Sequence, residues 1–131
     1  MLVEKIEPQL GLAAPTLLYE YPLPEAALAR PAADQRLAQR FELYACGVEL
    51  ANGYGELTDP AEQQRRFDAA MAEKQSRYGT RYPIDPDFIA ALAAMPQACG
   101  IALGFDRLVM LATAATRIEQ VLWAPVADPD Q

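Results

Sequence analysis

The sequence contains no histidine. Imidazole general-base catalysis and histidine-ligated metal are therefore excluded. Its two cysteines, Cys46 and Cys99, lack metal-ligand spacing. Free thiols in a reducing compartment are the expectation, and with it a cytoplasmic location. Basic residues are in deficit, with 11 Lys and Arg against 18 Asp and Glu and a net charge of −7. That balance argues against a strong nonspecific grip on nucleic acid, and no basic stripe is visible. No apolar run approaches the ~18 residues that a membrane span needs. The N-terminus, Met1 to Pro8, lacks the basic start and apolar core of a signal peptide. Internal repeats and interdomain linkers are also absent. A single domain over 1–131 is expected, with 127–131 as a loose tail.

A hydrophobic content of 52% with 22% charge suits a folded domain with a real core. Residues 2–9 read as the end of a helix stopped by Pro8 and Gly11. Pro15 to Tyr21 is rich in strand formers, and 22–34 is a proline-containing surface loop. Phe41 to Cys46 and Val48 to Asn52 read as a hairpin that turns at Cys46-Gly47. Asp59, Pro60 and Glu62 form a box-like start for a helix running to about Arg77. Asp85-Pro86 starts a second helix, ending near Met95-Pro96. Gly100 to Leu103 reads as a short buried strand and Asp106 to Ala115 as a third helix, with Asp106 as its cap. Thr116 to Glu119 reads as a capping box for a short helix, followed by a strand-like Val121-Leu122-Trp123. The expected fold class is α+β, an antiparallel β-sheet with flanking helices.

Two stretches carry the chemistry. In Phe41 to Leu57, three carboxylates, Glu42, Glu49 and Glu56, lie among Phe41, Leu43, Tyr44, Leu50 and Tyr54. A lone glutamate on a hairpin usually faces water. Carboxylates in apolar company are costly unless they meet cations or hydrogen-bond donors. Without nearby Cys or His, two such acids suit magnesium, with a nucleotide's phosphates as co-ligands. Asn52-Gly53-Tyr54-Gly55 adds an amide, an aromatic wall and permissive backbone, although Asn52-Gly53 reads equally as a turn. In Gly100 to Met110, an apolar strand meets two glycines, then Asp106-Arg107, then an amphipathic helix. Glycine lets backbone approach a ligand closely, and an Arg at the helix start is placed for phosphate.

Together these stretches resemble class II aminoacyl-tRNA synthetases, in their lysyl-tRNA synthetase branch. The strings are Phe41-Glu42-Leu43-Tyr44, Gly47 to Tyr54, Glu56-Leu57-Thr58-Asp59, Glu62 to Phe67, and Gly100 to Met110 as the family's motif 3. Pro15 to Pro22 and Leu28-Ala29 join in, so the resemblance covers about residues 12–126. Glu49 to Gly53 and Gly100 to Gly104 are most similar to the short branch that ligates (R)-β-lysine to elongation factor P. Ala102 stands where ordinary lysyl-tRNA synthetases tend to have Gly. A methyl group there would trim the amino-acid pocket.

The resemblance implies ATP and Mg2+ as cofactors, with elongation factor P or tRNA as acyl acceptor. Glu42, the backbone at Leu43, Gly104 and Arg107 would contact ATP, Arg107 being the catalytic group on phosphate. Glu49, Asn52, Tyr54, Glu56, Gly100 and Ala102 would border the amino-acid site, Glu56 by meeting an ammonium. Glu42 and Glu49 would hold the metal. The family's motifs 1 and 2 are not found, and Arg30, Arg36 and Arg40 do not sit in a motif 2 setting. The chain therefore reads as the C-terminal part of the catalytic domain, inactive by itself. Exposed apolar surface then implies a homo-oligomer. The alternatives are a lysyl-tRNA synthetase fragment that charges tRNA, and a non-catalytic binding or assembly module derived from the fold.

Overall fold

A computed structural model describes residues 2–26 and 28–124, with side chains from residue 4 onward. The tail expected at 127–131 lies outside the described residues. The first turns are a π-helical turn, Leu2–Ile6, and a 3-10 turn, Glu7–Gln9. The helix end expected at 2–9 is thus not α-helical. Pro8 has no N–H to give to a helical ladder.

Four strands follow: β1 (Thr16–Pro22), β2 (Leu37–Ala45), β3 (Val48–Gly55) and β4 (Cys99–Leu103). They form one antiparallel sheet in the order β1-β2-β3-β4. With the helices, this makes the chain α+β. Cys46 and Gly47 both have positive φ, 53° and 74°. That is the geometry of a two-residue hairpin turn whose twist matches the strands.

The hairpin is longer than its local sequence suggests. Arg30 N donates to Gly55 O at 2.7 Å, and Gln39 N donates to Arg30 O at 2.9 Å. Bridges Ala29 to Glu56 and Pro31 to Ala38 continue the pairing. A distant segment thus extends both strands. Asn52-Gly53 lies inside β3, so its reading as a turn does not hold.

Helix α1 (Pro60–Tyr78) is capped by Asp59, whose carboxylate accepts from Ala61 N and Glu62 N, and Gly79 closes it in the left-handed region. Glu62 does not complete a box. Its carboxylate takes Arg65 at 2.8 Å and Arg66 at 2.8 Å, while Arg66 Nη1 also donates to Ala29 O at 2.7 Å. Arg65, and next Arg66, hold the Glu62 carboxyl below its ordinary value. A depressed folded value means the stabilisation is complete above about pH 4.3 and fades as pH falls through the folded value. Glu62→Gln should therefore cost about 0.5–1 kcal/mol at neutral pH. Urea titrations should show that gap closing only in acid, below the ordinary carboxylate range.

Helix α2 (Pro86–Leu92) is capped by Asp85. Its end tightens into i to i+3 bonds that reach Met95. Helix α3 (Phe105–Thr113) starts from Gly104 with no side-chain cap, so Asp106 does not cap it. Ala114, at φ 55°, ends it. In the next turn, Ile118–Gln120, Gln120 Oε1 accepts from Thr116 N and Arg117 N, each at 3.0 Å. The box residue is therefore Gln120, not Glu119, because the N-cap is Arg117 rather than Thr116 and the third residue on from it is Gln120. Val121 N and Leu122 N donate to Ile118 O, so this segment is a turn rather than a strand.

The chain divides into two compact units, 1–19 with 41–53 and 101–131, and 20–40 with 54–100. In the first, Tyr44, Leu50 and Ala51 are buried, together with the carboxylate of Glu42. In the second, Ala26, Ala29 and Ala38 form a core on which Leu23 and Tyr54 pack. Contrary to expectation, β4 is exposed along its whole length. It is an edge strand, and its apolar pattern finds no cover among the described residues. No helix among the described residues is long and apolar enough to cross a membrane.

Candidate functional site

In the first unit, β3 runs beside the turn that leads into α3. Gly104 N donates to Leu50 O at 2.8 Å. One residue back along β3, Glu49 O accepts from Arg107 Nη1 at 2.8 Å, and Glu49 Oε2 lies 3.4 Å from the same nitrogen. These bonds fix both ends of the first turn of α3 to β3. A Cβ at Gly104 would stand 3.3 Å from Arg107 Cδ and 3.5 Å from Leu50 O. Glycine keeps this corner close.

A cavity of about 320 Å3 opens here, lined by residues that include Glu49, Asn52, Ala102, Gly104, Arg107 and Ile118. Asp106 lines it as well. Five of the residues nominated from the sequence thus meet in one place. Ile118 was not among them. Its signal was only an apolar residue in a short turn, which says nothing about a site.

Glu42 stands on β2 in the same unit and is only 4% exposed. Tyr44 OH donates to its Oε2, and Asn52 Nδ2 donates to its Oε1 at 3.0 Å. These donors make burial of the carboxylate tolerable. With Nδ2 so engaged, the Asn52 Oδ1 is buried and has no hydrogen-bond partner among the described residues. An unpaired buried acceptor is costly, and a donor brought by a ligand would relieve it. Leu43, between Glu42 and Tyr44, is half-buried.

Tyr54, Glu56 and Gly100 belong to the second unit. Glu56 Oε1 lies 3.0 Å from where a Cβ on Gly100 would be, so glycine leaves room for that carboxylate. Arg40 lies over the Tyr21 ring at 4.4 Å and the Tyr54 ring at 5.9 Å, and its Nη1 donates to Glu25 O at 2.6 Å. This stacked arginine braces the Tyr54 wall. Sequence inspection gave Arg40 no such part, because its aromatic partners are distant along the chain. A larger cavity of about 550 Å3 in the second unit, lined by Leu23, Leu28, Gln63, Phe67 and others, contains none of the nominated residues.

No group of three or more His, Cys, Asp or Glu side chains converges among the described residues. A cation here would rely on one or two carboxylates plus oxygens of a ligand, as magnesium does with phosphates. Glu49, which lines the cavity, offers hard oxygens of the right kind; Glu42 is not in that lining, and its two oxygens accept from Tyr44 and Asn52.

Residues 6–127 match the family of class II tRNA synthetases (D, K and N). The elongation factor P–(R)-β-lysine ligase of Proteus mirabilis (strain HI4320) is 45% identical over 128 residues, covering 96% of this chain and 39% of that protein. The ligase of the same name from Vibrio cholerae serotype O1 (strain ATCC 39315 / El Tor Inaba N16961) is 48% identical over 122 residues, 92% of this chain and 38% of that protein. That from Salmonella gallinarum (strain 287/91 / NCTC 13346) is 44% identical over 124 residues, 93% and 38% respectively. The chain therefore spans less than two fifths of the length of these curated relatives. With nearly its whole length matched, this chain belongs to the class II tRNA synthetases of the D, K and N group.

Proposed function

We propose that this chain forms part of the adenylate-forming site of a ligase. That ligase activates (R)-β-lysine with ATP and passes it to a lysine side chain of elongation factor P. The names of the relatives support this reading. The observation that carries it is Arg107, held on β3 by one nitrogen in the lining of a cavity that Glu49, Asn52, Ala102 and Gly104 share.

In this reading the substrate carboxylate attacks the α-phosphate in line and pyrophosphate leaves. Catalysis is positioning plus charge stabilisation, without a covalent enzyme intermediate. Arg107 takes the phosphate charge. Gly104 admits the nucleotide to the backbone, and Glu42 and the Leu43 backbone contact it. Asn52 and Ala102 border the amino-acid site, where Glu49 faces the substrate amine; Tyr54, Glu56 and Gly100, in the second unit, carry that role by resemblance to the family alone. Magnesium would supply charge neutralisation on the phosphates, and Glu49 and, by resemblance to the family, Glu42 would hold it. The chain is part of a catalytic domain, so alone it is inactive. The location is the cytoplasm. The exposed Ile101, Leu103, Phe105 and Leu108 favour self-association.

The second reading, a lysyl-tRNA synthetase that charges tRNA, differs at Ala102. Its methyl lines the cavity and favours an amine displaced by one carbon. The test is a chimera: the Vibrio cholerae ligase with its matching segment replaced by this chain. ATP–pyrophosphate exchange should depend on (R)-β-lysine and be at least about tenfold weaker with lysine, as one methylene of fit implies. Exchange with neither amino acid would end the ligase reading. Stronger exchange with lysine would favour the second.

A further inference from the structure

We propose that the cavity between α1 and the chain around Leu23 and Leu28 is a binding site for a small apolar carboxylate, whose oxygen is taken by the side-chain amide of Gln63. The cavity lies within the second unit and uses none of the residues given to ATP or to the amino acid.

Its walls are apolar and already in place. The volume is about 550 Å3, a usual size for a small-molecule site. Phe67 and Ala70 follow Gln63 by one and two turns of α1, so the three share a helix face. Leu23 and Leu28 line the opposite side. That side is pinned by its backbone: Leu23 N donates to Arg36 O at 2.8 Å, Ala29 N to Ala26 O at 2.8 Å, and Leu57 N to Leu28 O at 2.9 Å. Arg66 ties α1 to the same stretch through Ala29 O. A ligand therefore has no wall to order on entry, which spares it an entropic cost.

Gln63 is the anomaly in this lining. It is only 1% exposed, and its Nε2 has no hydrogen-bond partner among the described residues. Capping of α1 does not explain it, because Asp59 already does that. An apolar side chain of similar size would fill the position without leaving a buried amide unpaired. A ligand oxygen at Nε2 offsets that cost, and a charged oxygen does so best. The charges in the lining point the same way. Arg65 and Arg66 stand against Glu62 alone, a local positive surplus in a chain of net charge −7. An amide nitrogen only donates, so it selects an acceptor and turns away an ammonium.

The experiment is an NMR titration of this chain with octanoate, followed on side-chain amides, with octylammonium as control and calorimetry for affinity. The Gln63 amide pair is identified by its loss in Gln63→Leu. Octanoate should move that pair downfield and saturably, and octylammonium should not. Gln63→Leu should bind octanoate about tenfold more weakly. Ala70→Trp fills the cavity from an exposed helix position and should abolish binding with Gln63 intact. The urea midpoint of Gln63→Leu should equal or exceed that of wild type, because no bond is lost. The proposal is overturned if octanoate does not bind saturably, if it binds without moving the Gln63 pair, or if either variant binds as wild type does. A lowered midpoint in Gln63→Leu also overturns it, because the amide would then have a partner within the chain.

Discussion

Arg107→Ala in the chimeric ligase is expected to lower ATP–pyrophosphate exchange by about 10^2–10^3-fold, the usual effect of deleting one donor aimed at transition-state charge. The loss should fall on exchange and not on folding. Arg107 is half-exposed and its ion pair with Glu49 is wet, so removal should cost at most about 1 kcal/mol of stability. Arg107→Lys is the informative companion. It keeps the charge but loses the planar fork, and should recover only part of the rate. Full activity in Arg107→Ala would remove this residue from the mechanism. Full activity in Arg107→Lys would show that a point charge suffices.

The largest effect on stability is expected at Gly11. Its φ is 72°, and a Cβ there would lie 2.7 Å from Ala45 N and 2.7 Å from Tyr44 C. Both atoms are backbone, so no side chain can swing aside. Gly11 O also accepts from Cys46 N at 2.7 Å, which ties the first turns to the end of β2. Gly11→Ala combines left-handed strain with a backbone clash, together about 2–5 kcal/mol. Gly79→Ala is the control. That glycine has φ 68° but nothing within 4 Å of the added carbon. It should cost only the strain, about 1–2 kcal/mol. A guanidinium chloride midpoint lowered equally by the two would refute the clash. Because Tyr44 donates to Glu42, displacement near Gly11 should also loosen the buried carboxylate.

The parts legible in sequence share a property: their physics is local. Asp59 and Asp85 cap their helices because an aspartate followed by proline satisfies amides two and three residues on. Cys46-Gly47 turns the hairpin as its spacing suggested. Within the candidate site, Glu49, Asn52, Ala102, Gly104 and Arg107 were all nominated before their meeting was known. Elsewhere, a similar local pattern misled. Asn52-Gly53 has the composition of a turn, yet Arg30 and its neighbours extend the pairing past it. Gly100 to Leu103 has the composition of a buried strand, but burial depends on what covers a strand, not on its own residues. Ile118 and Arg40 became visible only through neighbours remote in sequence.

By itself, the sequence determined the α+β class, the starts of α1 and α2, the hairpin turn and the family. Each follows from side-chain chemistry acting over a few residues, or from strings long enough to be specific. Only the tertiary structure decided which of those residues meet. It showed that Arg107 hangs from a β3 carbonyl, and that Asn52 keeps a buried acceptor that meets no donor among the described residues. It also left β4 bare at the edge of the sheet. Those facts depend on backbone atoms brought together from distant positions, and a carbonyl oxygen carries no side-chain identity for a sequence to display.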